Sequence, residues 1–203
     1  MIQQTRRSVI SFFFLVVMAI LVVPAGATEV AVSNPGFEQL EPSGTVTGWR
    51  LVTDISSDGA SFGGESEEAH SGVGSVKLAA KGHGTVTAES DPVDLEVGKL
   101  YRLSGWIRTE GVVSDPMSKY PTAVPTCLTM EALPFTIHSP AVGGDSDWFR
   151  VDLPFIATSA SDRVRLHLGD NGSARGPAGC DDVRIEKGEE LAEYSPLETV
   201  RWA

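Results

Sequence analysis

Apolar and polar residues alternate with a period of two along much of the chain. Val76 and Leu78 share a face in Ser75-Val76-Lys77-Leu78-Ala79, and Thr85-Val86-Thr87-Ala88-Glu89 repeats the pattern. From Tyr101 to Arg108, one face holds Tyr101, Leu103, Gly105 and Ile107, and the other holds Arg102, Ser104, Trp106 and Arg108. Phe149, Val151, Leu153 and Phe155 form another one-sided set, as do Val164, Leu166 and Leu168 opposite Arg163, Arg165 and His167. Near the end, Asp181, Val183 and Ile185 alternate with Asp182, Arg184 and Glu186. Such alternation is the mark of half-buried antiparallel strands.

Gly-rich turns separate these runs, among them Ser71-Gly72-Val73-Gly74, Gly143-Gly144-Asp145 and Gly169-Asp170-Asn171-Gly172, the last overlapping the glycosylation sequon Asn171-Gly172-Ser173. Many short strands with turns of this kind predict an all-β, antiparallel β-sandwich. Residues 111–125, with Pro116, Pro121 and Pro125, carry no pattern and are expected to form a long loop. The domain is expected to span 28–187, followed by a charged tail over 188–203.

The N-terminus changes the picture of where the chain works. Arg6 and Arg7 precede an apolar run from Val9 to Val23, and Pro24 and Ala25-Gly26-Ala27 follow. A basic start, a short apolar run and small residues at the end predict a secretory signal peptide over 1–27. The run is shorter than the ~20 residues of a comfortable membrane span, and no later stretch is long enough. The expected product is secreted, extracellular or in the cell envelope, with no membrane span after cleavage. Loss of Arg6 and Arg7 takes the formal charge from −11 to −13. So acidic a surface disfavours nucleic acid, which is bound chiefly with Lys and Arg.

Cys127 and Cys180 are the two cysteines. An even count in an exported protein predicts a disulfide between them, worth about 4 kcal/mol for so long a loop; two buried thiols are the alternative reading. No Gly-x-Ser-x-Gly elbow, His-Glu-x-x-His or phosphate-binding glycine loop is present. No enzyme is expected on that ground. Binding chemistry is easier to place. Trp106 and Arg108 share a polar strand face, and Arg165 and His167 share another. If these strands lie in one sheet, the four side chains can line one cleft, a flat aromatic beside hydrogen-bonding groups being suited to sugars.

The order of landmarks resembles a known family. Asn34-Pro35-Gly36-Phe37-Glu38 opens the domain and Gly48-Trp49 follows. Ala69-His70-Ser71-Gly72-Val73-Gly74-Ser75-Val76-Lys77-Leu78 and Val97-Gly98-Lys99-Leu100-Tyr101-Arg102-Leu103-Ser104-Gly105-Trp106 come next. Asp147-Trp148-Phe149 and Cys180-Asp181-Asp182-Val183-Arg184-Ile185 complete the set. Together these resemble carbohydrate-binding modules of the family 4, 9 and 22 kind, over about residues 32–186, with Cys180 departing from the usual residue before the paired acids. The resemblance implies a galactose-binding-like jelly roll and a poly- or oligosaccharide ligand. It also implies a structural calcium ion (Ca2+) held by Glu38, Asp181 and the Ser71-Gly72 turn. Asp182 is the reserve ligand, expected by alternation to point away from Asp181. A structural or adhesive envelope module with a protein partner, and an accessory piece of a glycoside hydrolase, are the alternative readings, since fold alone does not fix function.

Overall fold

The computed structural model describes residues 28–52, 59–114, 124–134, 136–170 and 174–188. The expected signal peptide, the middle of the 111–125 segment, the sequon and the tail beyond Gly188 lie outside the described residues. Strands follow one another as β1 Thr28–Val30, β2 Trp49–Val52, β3 Ser61–Glu65, β4 Ser75–Gly84, β5 Val86–Ser90, β6 Val93–Asp94, β7 Leu100–Ser114, β8 Val124–Met130, β9 Gly144–Ile156, β10 Ser161–Asp162, β11 Val164–Asp170 and β12 Ala174–Lys187. The described residues contain no helix. One sheet runs β3-β4-β12-β7-β9, with β1 also paired to β12, and a second runs β2-β5-β11-β8. Both are antiparallel throughout, as the alternation predicts.

The inward faces of the two sheets make the core. Val76, Leu78, Leu103, Ile107, Val151, Leu153, Val183 and Ile185 from the larger sheet meet Val86, Ala88, Leu128, Met130, Val164, Leu166 and Leu168 from the smaller, all buried. Gly105 keeps the inward register of β7 because the sheets approach too closely there for a side chain. A Cβ at that position would stand 2.9 Å from Leu128 Cδ1 and 3.5 Å from Val183 Cγ2. Phe37, with φ at 56°, is buried against Trp49 at 5.1 Å between ring centroids. It thereby fixes the N-terminal loop to the sandwich.

Three sequence expectations change. Residues 111–114 continue β7 and Val124 already opens β8, so the expected loop is strand at both ends. Strand β8 shows no alternation because nearly all of its residues are buried, on both faces. Phe149 is 54 % exposed although its neighbours Val151, Leu153 and Phe155 are buried. It lies on β9, the end strand of its sheet, beyond the cover of the other.

The third change concerns β12. Cys180 pairs with the inward Ile107 and Asp181 with the outward Trp106, but the register then slips, and Arg184 pairs with Ser104. One extra residue is accommodated in β12, and Asp182 takes a left-handed φ of 50°. Asp181 therefore faces outward, while Val183 and Ile185 face the core. The alternation that grouped these three does not survive the bulge.

Candidate functional site

The bulge brings both aspartates to one corner of the larger sheet. Asp181 is fully buried and its Oδ2 accepts the backbone N–H of His70 (2.8 Å) and of Ser71 (3.1 Å), while Oδ1 accepts the N–H of Asp182 (2.7 Å). The Asp182 carboxylate meets the same turn from the other side. Its Oδ1 accepts the Ser71 hydroxyl at 3.0 Å, and its Oδ2 lies 2.7 Å from His70 Nδ1. Asp182 does not point away, because the bulge turns it back. Glu38 closes the corner, both of its carboxylate oxygens accepting the N–H of Val73 (3.0 and 3.1 Å). Burial pushes the Asp181 carboxyl above its ordinary range, with Asp182's charge adding to the rise and the three N–H donors opposing it.

Asp181 and Asp182 bring carboxylate oxygens within 4.8 Å of each other and of His70 Nδ1, and Glu38 is not part of that cluster. Among the described residues no Lys or Arg pairs with Glu38, Asp181 or Asp182. Glu38 and Asp181 both hold the turn over residues 70–73, Asp181 through the N–H groups of His70 and Ser71 and Glu38 through that of Val73. His70, which carries no ligand-like spacing in the sequence, joins them across 111 residues of chain.

Trp106 lies beside this corner on the outward face of β7. Its indole is half-buried and covered by the His70 ring, at 3.8 Å between centroids and 16° from parallel, with Trp148 edge-on to His70 at 6.0 Å. Arg108, next along the same face, is ion-paired with Glu68 and with Glu110 (3.0 Å).

Arg165 and His167 are elsewhere. They lie on β11, in the other sheet, with their side chains turned away from the core. The expectation of one cleft lined by Trp106, Arg108, Arg165 and His167 therefore fails: β7 and β11 do not share a sheet, and the two pairs occupy opposite outer surfaces of the sandwich. Around Arg165 and His167 the outer face holds a row of hydrogen-bonded polar groups. Glu89 is 2 % exposed, with Arg50 donating to Oε2 (2.8 Å) and Arg165 to Oε1 (2.8 Å through Nε). Arg165 also reaches Glu131 at 3.0 Å. His167, 7 % exposed, has its Nδ1 3.1 Å from the Thr87 hydroxyl and its Nε2 2.9 Å from that of Thr129. Burial pushes the Glu89 carboxyl up, but the hydrogen bonds and charges of Arg50 and Arg165 outweigh it and hold the group below the usual range. Nothing local in the sequence marks Glu89, Thr87 or Thr129, whose only signal is their polar position on a strand face.

The cysteines correct a further expectation. Cys127 pairs in register with the outward His167, whereas Cys180 pairs with the inward Ile107 and Val76. The two side chains lie on different faces of different sheets, and no disulfide joins them. No described helix is long and apolar enough to cross a membrane.

No family model matches the sequence, and no curated protein matches it either. Solved structures do. A family 61 carbohydrate-binding module in complex with β-1,4-galactotriose is 17% identical, over 79% of this chain and 100% of its own, with a TM-score of 0.53. The family 22 xylan-binding domain of Paenibacillus barcinonensis Xyn10C is 13% identical, over 80% of this chain and 96% of its own, with a TM-score of 0.52. A cyclase from Fischerella sp. TAU is 16% identical, over 80% of this chain and 98% of its own, with a TM-score of 0.57. The chain has the antiparallel β-sandwich jelly roll of carbohydrate-binding modules, a fold it also shares with these cyclases.

Proposed function

We propose that this is a secreted, non-catalytic protein that binds oligo- or polysaccharide on the outer face of the β2-β5-β11-β8 sheet. One observation carries the reading: Thr87, Glu89, Thr129 and His167 are buried on a face turned away from the core. Outward side chains of a sandwich are ordinarily solvated. Here His167 holds Thr87 and Thr129, and Glu89 is held by Arg50 and Arg165, whose guanidiniums extend partly exposed from the row. The buried row fixes the accessible guanidiniums of Arg50 and Arg165, and such prepositioned donors suit a ligand rich in hydroxyl groups because little side-chain entropy is lost on binding. Trp106 and Arg108 belong to the opposite surface and have no part in this site. The galactotriose-bound and xylan-binding modules support the ligand class by likeness of fold. Glu89 itself, kept ionised by two guanidiniums, is a poor general acid.

The test is affinity electrophoresis of the mature protein through gels containing galactan, xylan or no polymer. Retardation by at least one polymer is expected, lost in Arg165→Ala and His167→Ala and kept in Arg108→Ala. Unretarded migration of wild type through a broad polymer panel rejects glycan binding. Product release from the same polymers rejects the non-catalytic part.

The reading includes a structural calcium ion at the corner of Glu38, Asp181 and the Ser71 turn, with Asp182 as a further ligand. Support comes from the adjacent carboxylates of Asp181 and Asp182, which no described Lys or Arg neutralises, since calcium takes hard oxygen ligands. A chelator is expected to lower the melting temperature and added calcium to restore it. Equal melts with chelator and with calcium remove the ion.

A further inference from the structure

An open groove crosses the outward face of the larger sheet, lined by Arg102, Ser104 and Trp106 of β7, Arg150 of β9 and Arg184 of β12. Ser104 stands at its centre. It lies between Arg102 and Trp106 along β7 and pairs in register with Arg184 on one side and Asp152 on the other. Although it faces away from the core, it is 3 % exposed. The three carboxylates beside the groove are already engaged. Glu186 accepts from Arg102 through Nε (3.1 Å) and Nη2 (2.6 Å), and Asp152 accepts from Arg150 (3.2 Å). Asp182 is held by His70 and Ser71. Three donors are left over. Among the described residues the exposed Arg184 guanidinium has no carboxylate, and neither the Ser104 hydroxyl nor the Trp106 indole N–H has a hydrogen-bond partner. A polar group as deeply set as Ser104 ordinarily has one.

We infer that this groove binds the carboxylate of a small organic acid through the Arg184 guanidinium, the Ser104 hydroxyl and the Trp106 indole N–H. The planar fork of a guanidinium matches a carboxylate with two parallel hydrogen bonds. One arginine without a carboxylate suits a monoanion, whereas a dianion would meet Asp152, Asp182 and Glu186 with charge to spare. Arg102 and Arg150, with side chains 50% and 46% exposed, flank the position and add to the local positive field. The formal charge of −11 on the whole chain opposes a polyanion at long range, so the ligand is a single acid group and not a stretch of charged polymer. The groove lies on the opposite outer surface from the proposed glycan face and shares no residue with it.

The experiment titrates isotope-labelled mature protein with sodium galacturonate, sodium lactate, galactose and sodium chloride, following the indole N–H resonances by NMR. The Trp106 resonance is assigned by its loss in Trp106→Phe. At least one of the two acids is expected to shift it saturably with millimolar affinity or better, while galactose and chloride at the same concentrations do not. Tighter binding of galacturonate identifies a sugar acid, and tighter binding of lactate a non-sugar acid; both outcomes support the site. Arg184→Gln, a change at an exposed position, is expected to weaken the acid at least tenfold with the melting temperature unchanged, and Ser104→Ala to weaken it severalfold. Arg165→Ala, on the opposite face, should leave it intact whatever happens to polymer binding. The inference is overturned if neither acid shifts Trp106, if galactose or chloride shifts it as the acids do, or if Arg184→Gln binds the acid as tightly as wild type.

Discussion

The His70 imidazole lies face-on over the Trp106 indole, 3.8 Å between centroids and 16° from parallel. A tryptophan with one face taken in this way is part of the support for the His70–Ser71 turn, which Asp181 and Asp182 hold by hydrogen bonds. Trp106→Ala is expected to cost about 2–3 kcal/mol, below the 3–5 of a fully buried aromatic because the ring is only half-buried. Glycan binding measured well below the melting temperature should be unchanged. A tenfold loss of affinity without loss of stability would move the glycan site to this surface.

Glu89 ties stability to pH. Its carboxyl is held below the ordinary range in the native state, so its contribution is fully present above the unfolded value of about 4.3 and is lost as pH falls through the folded value. Asp162 and Asp181 are pushed up by burial and act in the opposite sense, their contribution fading as pH rises. The informative quantity is therefore the difference between wild type and Glu89→Gln. The variant is expected to be less stable by about 1.5–3 kcal/mol at pH 7, where charge-assisted bonds are lost. That gap should narrow steadily in denaturant melts taken from pH 5 to pH 3. A gap independent of pH would mean that Glu89 is not ionised in the native state.

Cys127 and Cys180 are expected to titrate as two thiols per chain in denaturant, without reductant. Cys180 should resist alkylation in the native protein, since burial pushes its thiol far above the range in which thiolate forms, and the neighbouring Asp181 adds to this. Fewer than two thiols after unfolding would require a bridge that the opposed faces of β8 and β12 do not allow.

Strand positions and most of the core were legible in the sequence because period two is a local property. Tyr101, Leu103, Gly105 and Ile107 face inward as their spacing requires. Sheet membership is not local. Nothing in Arg163 to Leu168 says whether β11 pairs with β7 or with β5 and β8, and this alone separates Arg165 and His167 from Trp106. The corner site was half legible. Glu38 and Asp181 stood out through the resemblance, but the bulge that turns Asp182 back has no glycine to announce it. His70 becomes a partner of Asp182 only through contacts 112 residues apart.

Gly72 offers the sharpest test of that corner's packing. Its φ is 64°, and a Cβ there would fall 1.8 Å from Glu38 Oε1, where no real contact can exist. Gly72→Ala must therefore displace the Glu38 carboxylate from the Val73 N–H as well as hold alanine in a left-handed conformation. The backbone part costs about 1–2 kcal/mol. The lost charge-assisted hydrogen bonds to Glu38 add roughly another 1.5–3 kcal/mol. In a Glu38→Ala background the clash is gone, and the same glycine substitution should cost only the backbone part. The two substitutions are thus expected to be non-additive, with the double variant worse than Glu38→Ala alone by only the backbone part of about 1–2 kcal/mol. Denaturant melts of the two single variants and the double variant measure this directly. Additive costs would show that Glu38 does not rest over Gly72.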